Sequence, residues 1–168
     1  MKSFPFHENF DVLCKALNAN GAFLAVKDKE GRSNIMTIGW ATVGIIWSKH
    51  VMTVMVRPVR YTHELIENAT AFSVCVPSNN KYGKELMTCG TESGRNQDKA
   101  KLAGLTLVPG KLEGAIVVKE CDLFYESEII HKNSINPASL RQDIKDDLYP
   151  KHDFHTIYYG EIKHSYTI

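Results

Sequence analysis

Short apolar runs separated by polar turns dominate this sequence and limit the folds that it can adopt. Residues 51–57 alternate in polarity and are rich in β-branched side chains, and residues 71–76 do the same before Pro77. Such runs are typical of β-strands. Further strands are predicted at residues 23–26, 34–47, 115–118, 122–131 and 155–164. Many short strands with turns between them indicate a closed or partly closed antiparallel barrel.

Helices are few and short in the predicted fold. They are expected at residues 63–67 with Thr62 as N-cap, from Asn79 or Asn80 through Met87, over residues 97–103 ending at Gly104, and from Asn136-Pro137 to Leu148. The last of these lies in residues 133–150, which have the character of a surface insertion. That insertion would cap a site, extend a dimer interface or form a simple loop.

Composition sets the broad class of the protein. The 168 residues are 43% hydrophobic, which suits a single domain over residues 1–168 with one sizeable core. Twenty Lys and Arg against 19 Asp and Glu give a net charge of +1, which argues against a nucleic-acid binder. No apolar run reaches the ~18–20 residues of a membrane helix. No secretory signal is visible at the N-terminus, so a cytoplasmic location without membrane association is expected.

Cysteine and histidine spacing indicates no metal site. The four cysteines, Cys14, Cys75, Cys89 and Cys121, are far apart and form no CxxC pair. We expect them to be reduced and to act as small buried hydrophobes. Cys89 lies in a Gly/Ser-rich region and has the best claim to another role. Neither HExxH nor GxGxxG occurs, so neither that zinc motif nor a Rossmann domain is indicated.

The first segment with chemical character runs from Asn34 to Trp40. On a strand, Asn34, Met36, Ile38 and Trp40 share one face, while Thr37 and Gly39 share the other. Glycine weakens a strand unless something must approach the backbone closely, and a flat ring would meet that condition. The alternative is an ordinary barrel strand whose Asn amide satisfies a turn.

The second segment, Arg57-Pro58-Val59-Arg60-Tyr61-Thr62, joins a strand end to a helix start. A helix N-terminus offers free N–H groups to a phosphate, and arginine can bind phosphate through two parallel hydrogen bonds. The hydroxyls of Tyr61 and Thr62 add donors. The segment therefore fits a monophosphate site, and it equally fits a capped surface helix with two solvated arginines.

Two weaker signals follow. Residues 90–99 form a small-residue loop that ends on the cation of Lys99, although many loops have this composition. His155 begins a predicted strand, where a lone histidine is more often structural or solvated than functional.

The order of these segments resembles the flavin reductase-like family, and its flavoredoxin branch in particular. An Asn-x-Met-Thr-x-x-Trp strand is followed by Arg-Pro-x-Arg-Tyr-Thr, then by Ser93-Gly94-Arg95 with Lys99, and finally by His155-Thr156 through Glu161. The similarity covers nearly the whole chain, roughly from Asn34 to Glu161.

This resemblance implies a mainly β fold, an antiparallel Greek-key split β-barrel with a few short peripheral helices, and a homodimer. It implies FMN as cofactor, with the isoalloxazine lying along Asn34, Met36, Thr37 and Trp40 and with Ile38 and Gly39 in the same strand. The phosphate end would be held by Arg57, Arg60, Tyr61 and Thr62. The cofactor would be covered by Ser93, Gly94 and Lys99, and its ring would be bordered by His155. A C-terminal aromatic, Tyr166, is expected near the flavin. No catalytic side chain is expected, because the hydride step needs no general base.

Three functions fit that resemblance. The first is an NAD(P)H-dependent flavin reductase, in which NAD(P)H binds transiently beside FMN and delivers a hydride. The second is a flavoredoxin-type carrier that exchanges electrons with a redox protein partner. The third is a barrel that has lost the cofactor and serves as a binding module.

Overall fold

Antiparallel strands are the main secondary structure of the chain. The computed structural model describes residues 2–78 and 81–168. The strands are β1 (Lys2–Ser3), β2 (Ala22–Lys27), β3 (Ser33–Ile38), β4 (Ala41–Ile46), β5 (Lys49–Val56), β6 (Ala71–Val76), β7 (Leu107–Pro109), β8 (Ile116–Val118), β9 (Leu123–Ser134) and β10 (Thr156–Thr167). Strand accounts for 39% of the residues and helix for 23%, which confirms the predicted mainly β class.

Five short α-helices lie around the strands. They are α1 (Phe10–Asn18), α2 (Tyr61–Ile66), α3 (Gly83–Thr91), α4 (Lys99–Leu102) and α5 (Gln142–Leu148), with a 3-10 turn at Pro137–Ser139. None of the helices in the described part of the chain is both long and apolar enough to span a membrane.

One eight-stranded sheet organises the molecule. Its order is β3-β2-β6-β9-β10-β5-β4, β1 pairs with the end of β10, and all of these pairs are antiparallel. The two edge strands, β3 and β4, are consecutive in the chain. The sheet therefore curls so that its edges approach each other, but the barrel does not close.

Gly39 and Trp40 lie at this opening. The sequence predicts a single strand over residues 34–47, but the structure divides it into β3 and β4 at these two residues. Each half pairs with a different neighbour, β3 with β2 and β4 with β5. The chain thus leaves one edge of the sheet and enters the other at Trp40.

Apolar side chains cover both faces of the central strands. Leu24 and Val26 of β2 pack in a core that also contains Leu13 of α1, whereas Phe23 and Ala25 pack in a second core beneath α3, α4 and the β7–β8 hairpin. This alternation follows from the two-residue period of a strand. Both faces of β2 are therefore buried, as a near-continuous apolar run predicts.

Two of the predicted helix starts differ from the structure. Thr62 is wrong as an N-cap, because helix α2 begins at Tyr61 and Arg60 occupies the N-cap position without a side-chain bond. The third helix is shorter than predicted: Asp98 caps Lys99–Leu102 through a bond from the Lys101 amide. Asn79 and Asn80, predicted to cap a helix, lie outside the described residues, and α3 begins at Gly83.

The insertion at residues 133–150 is not one helix. Asn136 caps the 3-10 turn, the backbone becomes extended at Leu140, and α5 starts at Gln142. Helix α5 leads into a short segment, residues 148–154, that returns the chain to β10. We refer to residues 148–154 as the strap.

Candidate functional site

Two adjoining cavities contain most of the residues that the sequence singles out. The first, which we call the Trp40 cavity, has a volume of about 240 Å³ and is lined by Met36, Thr37, Ile38, Gly39, Trp40, Met55, Arg57, Arg60 and His155. The second, the Lys99 cavity, has a volume of about 580 Å³, and Asn34, Tyr61, Gly94 and Lys99 are among its lining residues. Both open along β3 and the start of α2.

Side-chain hydrogen bonds fix β3 against the two helices beside it. The buried amide of Asn34 donates to the hydroxyl of Thr62 at 2.8 Å, which joins β3 to α2. Thr37 lies on the other face and donates to the carbonyl oxygen of Leu86 in α3. The predicted alternation of β3 is therefore present, and each face is tied to a different helix.

The loop after α3 packs closely on this strand. A Cβ atom added at Gly94 would lie 2.3 Å from Oδ1 of Asn34 and 2.7 Å from Cδ1 of Tyr61. Arg95 holds the same loop on α2, since its guanidinium lies 5.5 Å from the Tyr61 ring centroid and donates to the Val59 carbonyl at 3.1 Å. Glycine is required at position 94 because no side chain fits there.

Arg60 and Lys99 converge on one carbonyl oxygen, and we call them the cation pair. Lys99 Nζ donates to the oxygen of Cys89 at 2.9 Å, and Arg60 Nη2 donates to the same atom at 3.4 Å. Lys99 is only 3% exposed. Within residues 2–78 and 81–168, neither side chain forms a salt bridge. Buried cations ordinarily have a carboxylate partner, so this arrangement favours an external anion.

The environment of the cation pair alters the acidity of both groups. Burial, reinforced by the neighbouring Arg60 charge, lowers the pKa of Lys99 to about 8. Burial also lowers the pKa of the Arg60 guanidinium. The lowered pKa of both groups indicates that their positive charges are unfavourable here without a counter-charge. An anion bound between the two groups would supply that counter-charge.

Arg57 lines the Trp40 cavity, but the strap engages its guanidinium. Nη1 donates to Oδ1 of Asp153 at 2.6 Å, and Nη2 donates to the carbonyl oxygen of Leu148 at 2.8 Å. The guanidinium also lies 4.9 Å from the centroid of the Tyr149 ring. Arg57 thus anchors the strap, and its donors point to protein acceptors.

His155 forms part of the cavity wall. Its ring lies 5.0 Å from the Trp40 ring, measured between centroids, with the planes inclined by 53°. Nδ1 shares a 2.8 Å hydrogen bond with the hydroxyl of Tyr149. Burial, aided by the Arg57 charge, lowers the pKa of His155 to about 4, so the imidazole is neutral near pH 7.

A few residues depart from the sequence prediction. Ser93 lines neither cavity; its hydroxyl accepts from the Arg95 amide at 3.3 Å. Thr62 is buried behind Asn34. Tyr166 is also remote from the two cavities, because it stacks on Phe124 and its hydroxyl donates to Glu126.

Other residues contribute to the site without a sequence motif that predicts them. Met55 lines the Trp40 cavity from β5, and Tyr149 and Asp153 hold its wall through the strap. Cys89 contributes its carbonyl oxygen, whereas its thiol is buried and has a pKa raised to about 11 by that burial. The alternating pattern of residues 51–57 placed Met55 on a strand, and no other sequence feature marks it. No local motif marks Tyr149 or Asp153.

These features define an open, curled antiparallel sheet with cavities at its opening, and comparison with known proteins identifies the family. The model described as "Flavin reductase like domain" matches residues 16–168, so the chain belongs to the flavin reductase-like family. A curated protein from Archaeoglobus fulgidus, described as uncharacterized, is 29% identical over 133 residues and covers 79% of this chain. The chain spans 60–64% of the length of the curated relatives it matches.

Solved structures support the flavoredoxin-like branch within that family. Flavoredoxin of Desulfovibrio vulgaris (Miyazaki F) is 26% identical, with a TM-score of 0.68 over 88% of this chain and 68% of that one. Flavoredoxin from Methanosarcina acetivorans gives the same identity and TM-score, over 88% of this chain and 67% of that one. The resemblance found in the sequence is confirmed.

Proposed function

We propose that this protein binds FMN across the two cavities and acts as an NAD(P)H-dependent flavin reductase or a related oxidoreductase. Membership in the flavin reductase-like family supports a flavin-binding protein. The observation that carries the proposal is the cation pair, because Arg60 and Lys99 meet at the Cys89 carbonyl and neither forms a salt bridge with any residue that the structure describes.

The residues present fit the chemistry of FMN. Its phosphate carries close to two negative charges near neutral pH, which matches two adjacent cations. Its ring system is flat and largely apolar, and Trp40, Met55 and His155 offer a suitable wall beside the exposed backbone of Gly39. The two requirements are met next to each other, since Arg60 lines the Trp40 cavity and Lys99 the neighbouring one.

We assign the phosphate end of FMN to Arg60 and Lys99, with the hydroxyl of Tyr61 as a further donor. Thr62 was predicted as another donor, but it is buried and lines neither cavity, so we assign it to holding Asn34 in place. Arg57 was predicted as a third phosphate ligand. Because its donors are directed at Asp153 and Leu148, we assign it to the wall of the Trp40 cavity instead.

The isoalloxazine end is assigned to β3 and the residues facing it. The strand residues are Asn34, Met36, Thr37, Ile38, Gly39 and Trp40, with His155 at the border of the ring and Gly94 closing the loop side. Ser93 was predicted beside Gly94, but it lines neither cavity and is left out of this assignment. When bound, FMN would supply hydride and electron transfer, with NAD(P)H as a transient donor. The side chains of this protein bind the phosphate, orient the ring and exclude water from one of its faces.

Anaerobic stopped-flow spectroscopy tests the enzymatic activity. The FMN-loaded protein is mixed with NADH or NADPH, and the flavin absorbance is followed. Bleaching within seconds is the expected result. An unchanged spectrum with both nucleotides would contradict a reductase.

A flavoredoxin-type electron carrier is the second candidate. The likeness to two flavoredoxins supports it, and so does Trp40, which is 40% exposed at the opening of its cavity where a redox partner would dock. In the same stopped-flow experiment, bleaching by a reduced protein partner but not by NAD(P)H would favour the carrier.

The assembly is also part of this proposal. We propose a single domain over residues 1–168 that forms a homodimer in the cytoplasm. Ile45 and Trp47, on and beside the edge strand β4, are 68% and 59% exposed and would be covered by a second copy. Sedimentation equilibrium should give twice the mass of the chain, and the monomer mass would contradict a dimer.

A further inference from the structure

The strap contacts His155, a polar residue in the wall of the Trp40 cavity. Tyr149 and His155 are both buried, and the 2.8 Å hydrogen bond between the hydroxyl and Nδ1 is made inside the protein. A hydrogen bond shielded from water constrains both partners strongly. The orientation of the imidazole is therefore set from the strap.

The relative basicity of the two groups assigns the proton in this bond to the hydroxyl. Because burial keeps the pKa of His155 near 4, the ring is neutral at pH 7 and carries one N–H. A neutral imidazole nitrogen is a stronger base than a phenol oxygen, so the hydroxyl donates and Nδ1 accepts. The ring proton is then on Nε2.

The other ring nitrogen of His155 is Nε2. Among the described residues it has no hydrogen-bond partner, and the fully buried side-chain atoms without a partner there are the hydroxyls of Ser73 and Ser127. Nε2 is consequently not sealed in the core. His155 lines the Trp40 cavity, which is the open space next to the ring.

We propose that Tyr149 is a positioning residue for His155: its hydroxyl occupies Nδ1 and leaves Nε2–H as a hydrogen-bond donor to a ring bound in the Trp40 cavity. This inference rests on the proposed flavin site. Tyr149 is itself held on two sides, by a stack on Phe154 with 4.8 Å between centroids and by the Arg57 guanidinium. The insertion therefore carries a residue that acts on the site.

The tautomer of His155 tests this proposal without any activity measurement. Long-range ¹H–¹⁵N spectra of the full chain, with and without FMN, distinguish Nδ1–H from Nε2–H. We expect the Nε2–H form alone in the wild type and a mixture in Tyr149→Phe, which keeps the aromatic ring. Tyr158→Phe is the matched control, because it removes a buried hydroxyl bonded to Glu67 and should leave the tautomer unchanged.

A double-mutant cycle tests whether Tyr149 acts through His155. Tyr149→Phe should raise the Kd for FMN about 3–10-fold, the effect of losing one hydrogen bond. In a His155→Phe background the same change should have less than about a 2-fold effect, because the residue it positions is gone.

Three results would overturn the inference: an Nδ1–H tautomer in the wild type, an unaltered tautomer in Tyr149→Phe, or equal losses of affinity in both backgrounds. A wild-type protein that binds no flavin would overturn the proposed function instead. In that case the tautomer comparison still decides the role of Tyr149.

Discussion

Lys99 and Arg60 donate to the same acceptor, the carbonyl oxygen of Cys89, over 2.9 and 3.4 Å. Because both cations donate to one carbonyl oxygen, these two bonds use only a few of their N–H groups. The other N–H groups can donate to a bound anion. The two groups lie where α2 begins and where α4 begins, so the fold brings them together from distant parts of the sequence. Their pairing is the structural basis for the proposed anion site.

Lys99→Met should weaken FMN binding strongly and riboflavin binding little. The substitution keeps a long apolar side chain but removes one charged hydrogen bond, which is worth about 1.5–3 kcal/mol, or roughly 10–150-fold in Kd. Fluorescence titration with each flavin gives the comparison. Lys84→Met, an exposed change in α3, is the control and should leave both constants unaltered. An FMN affinity that falls equally in both variants would argue against the assignment.

The affinity for FMN should decline as the pH rises above 8. Burial lowers the pKa of Lys99 to about 8 in the flavin-free protein, so the ammonium loses its proton above that pH and its attraction for the phosphate disappears. The phosphate itself is already doubly charged there. Titrations at pH 7, 8 and 9 should give a rising Kd in the wild type and a flat profile in Lys99→Met. A flat profile in both proteins contradicts this account.

Asp153→Asn should loosen the strap without changing the preference for a phosphorylated flavin. Arg57 and Asp153 are 25% and 19% exposed, and breaking a partly buried pair should cost about 1–2 kcal/mol of unfolding free energy. Hydrogen exchange of residues 148–154 should accelerate. Asp143→Asn is the control, because it breaks an exposed pair with Arg141 in the same insertion. Equal exchange in the two variants would show that Arg57 does not anchor the strap.

Gly94→Ala should disrupt the contact between the loop and β3. The added methyl group would overlap Asn34 and Tyr61, and overpacking of this kind typically costs about 1–3 kcal/mol. Denaturant unfolding should show the loss, together with weaker FMN binding. Gly44→Ala places a methyl in open space and should be close to neutral. Wild-type stability in Gly94→Ala would mean that the loop does not pack as described.

The sequence indicated the strands and the order of the site segments, because both depend on local patterns. Residues 71–76 and β6 coincide, and Asn34, Thr37 and Tyr61 line the cavities. Close approach of a ligand at Gly39 stays a prediction. The division of the strand at that residue was not predicted, since each half finds its partner far away in the chain.

Tertiary partners explain the remaining differences. Thr62 has the residue type of an N-cap, but the Asn34 amide reaches its hydroxyl across 28 positions of sequence. Arg57 has the sequence context of a phosphate ligand, but its guanidinium binds Asp153 of the strap, which lies 96 residues later in the chain. The role proposed for Lys99 depends on its proximity to Arg60, which the sequence does not indicate. Such long-range pairings leave no trace in local composition.

The central claim is that the cation pair recognises the phosphate of FMN, and titration calorimetry with FMN and riboflavin tests it most directly. The two ligands differ only in that phosphate. We predict that the wild-type protein binds FMN at least about 100-fold more tightly, as two charged hydrogen bonds would give. Equal affinity for the two flavins, or no binding of either, would contradict the account.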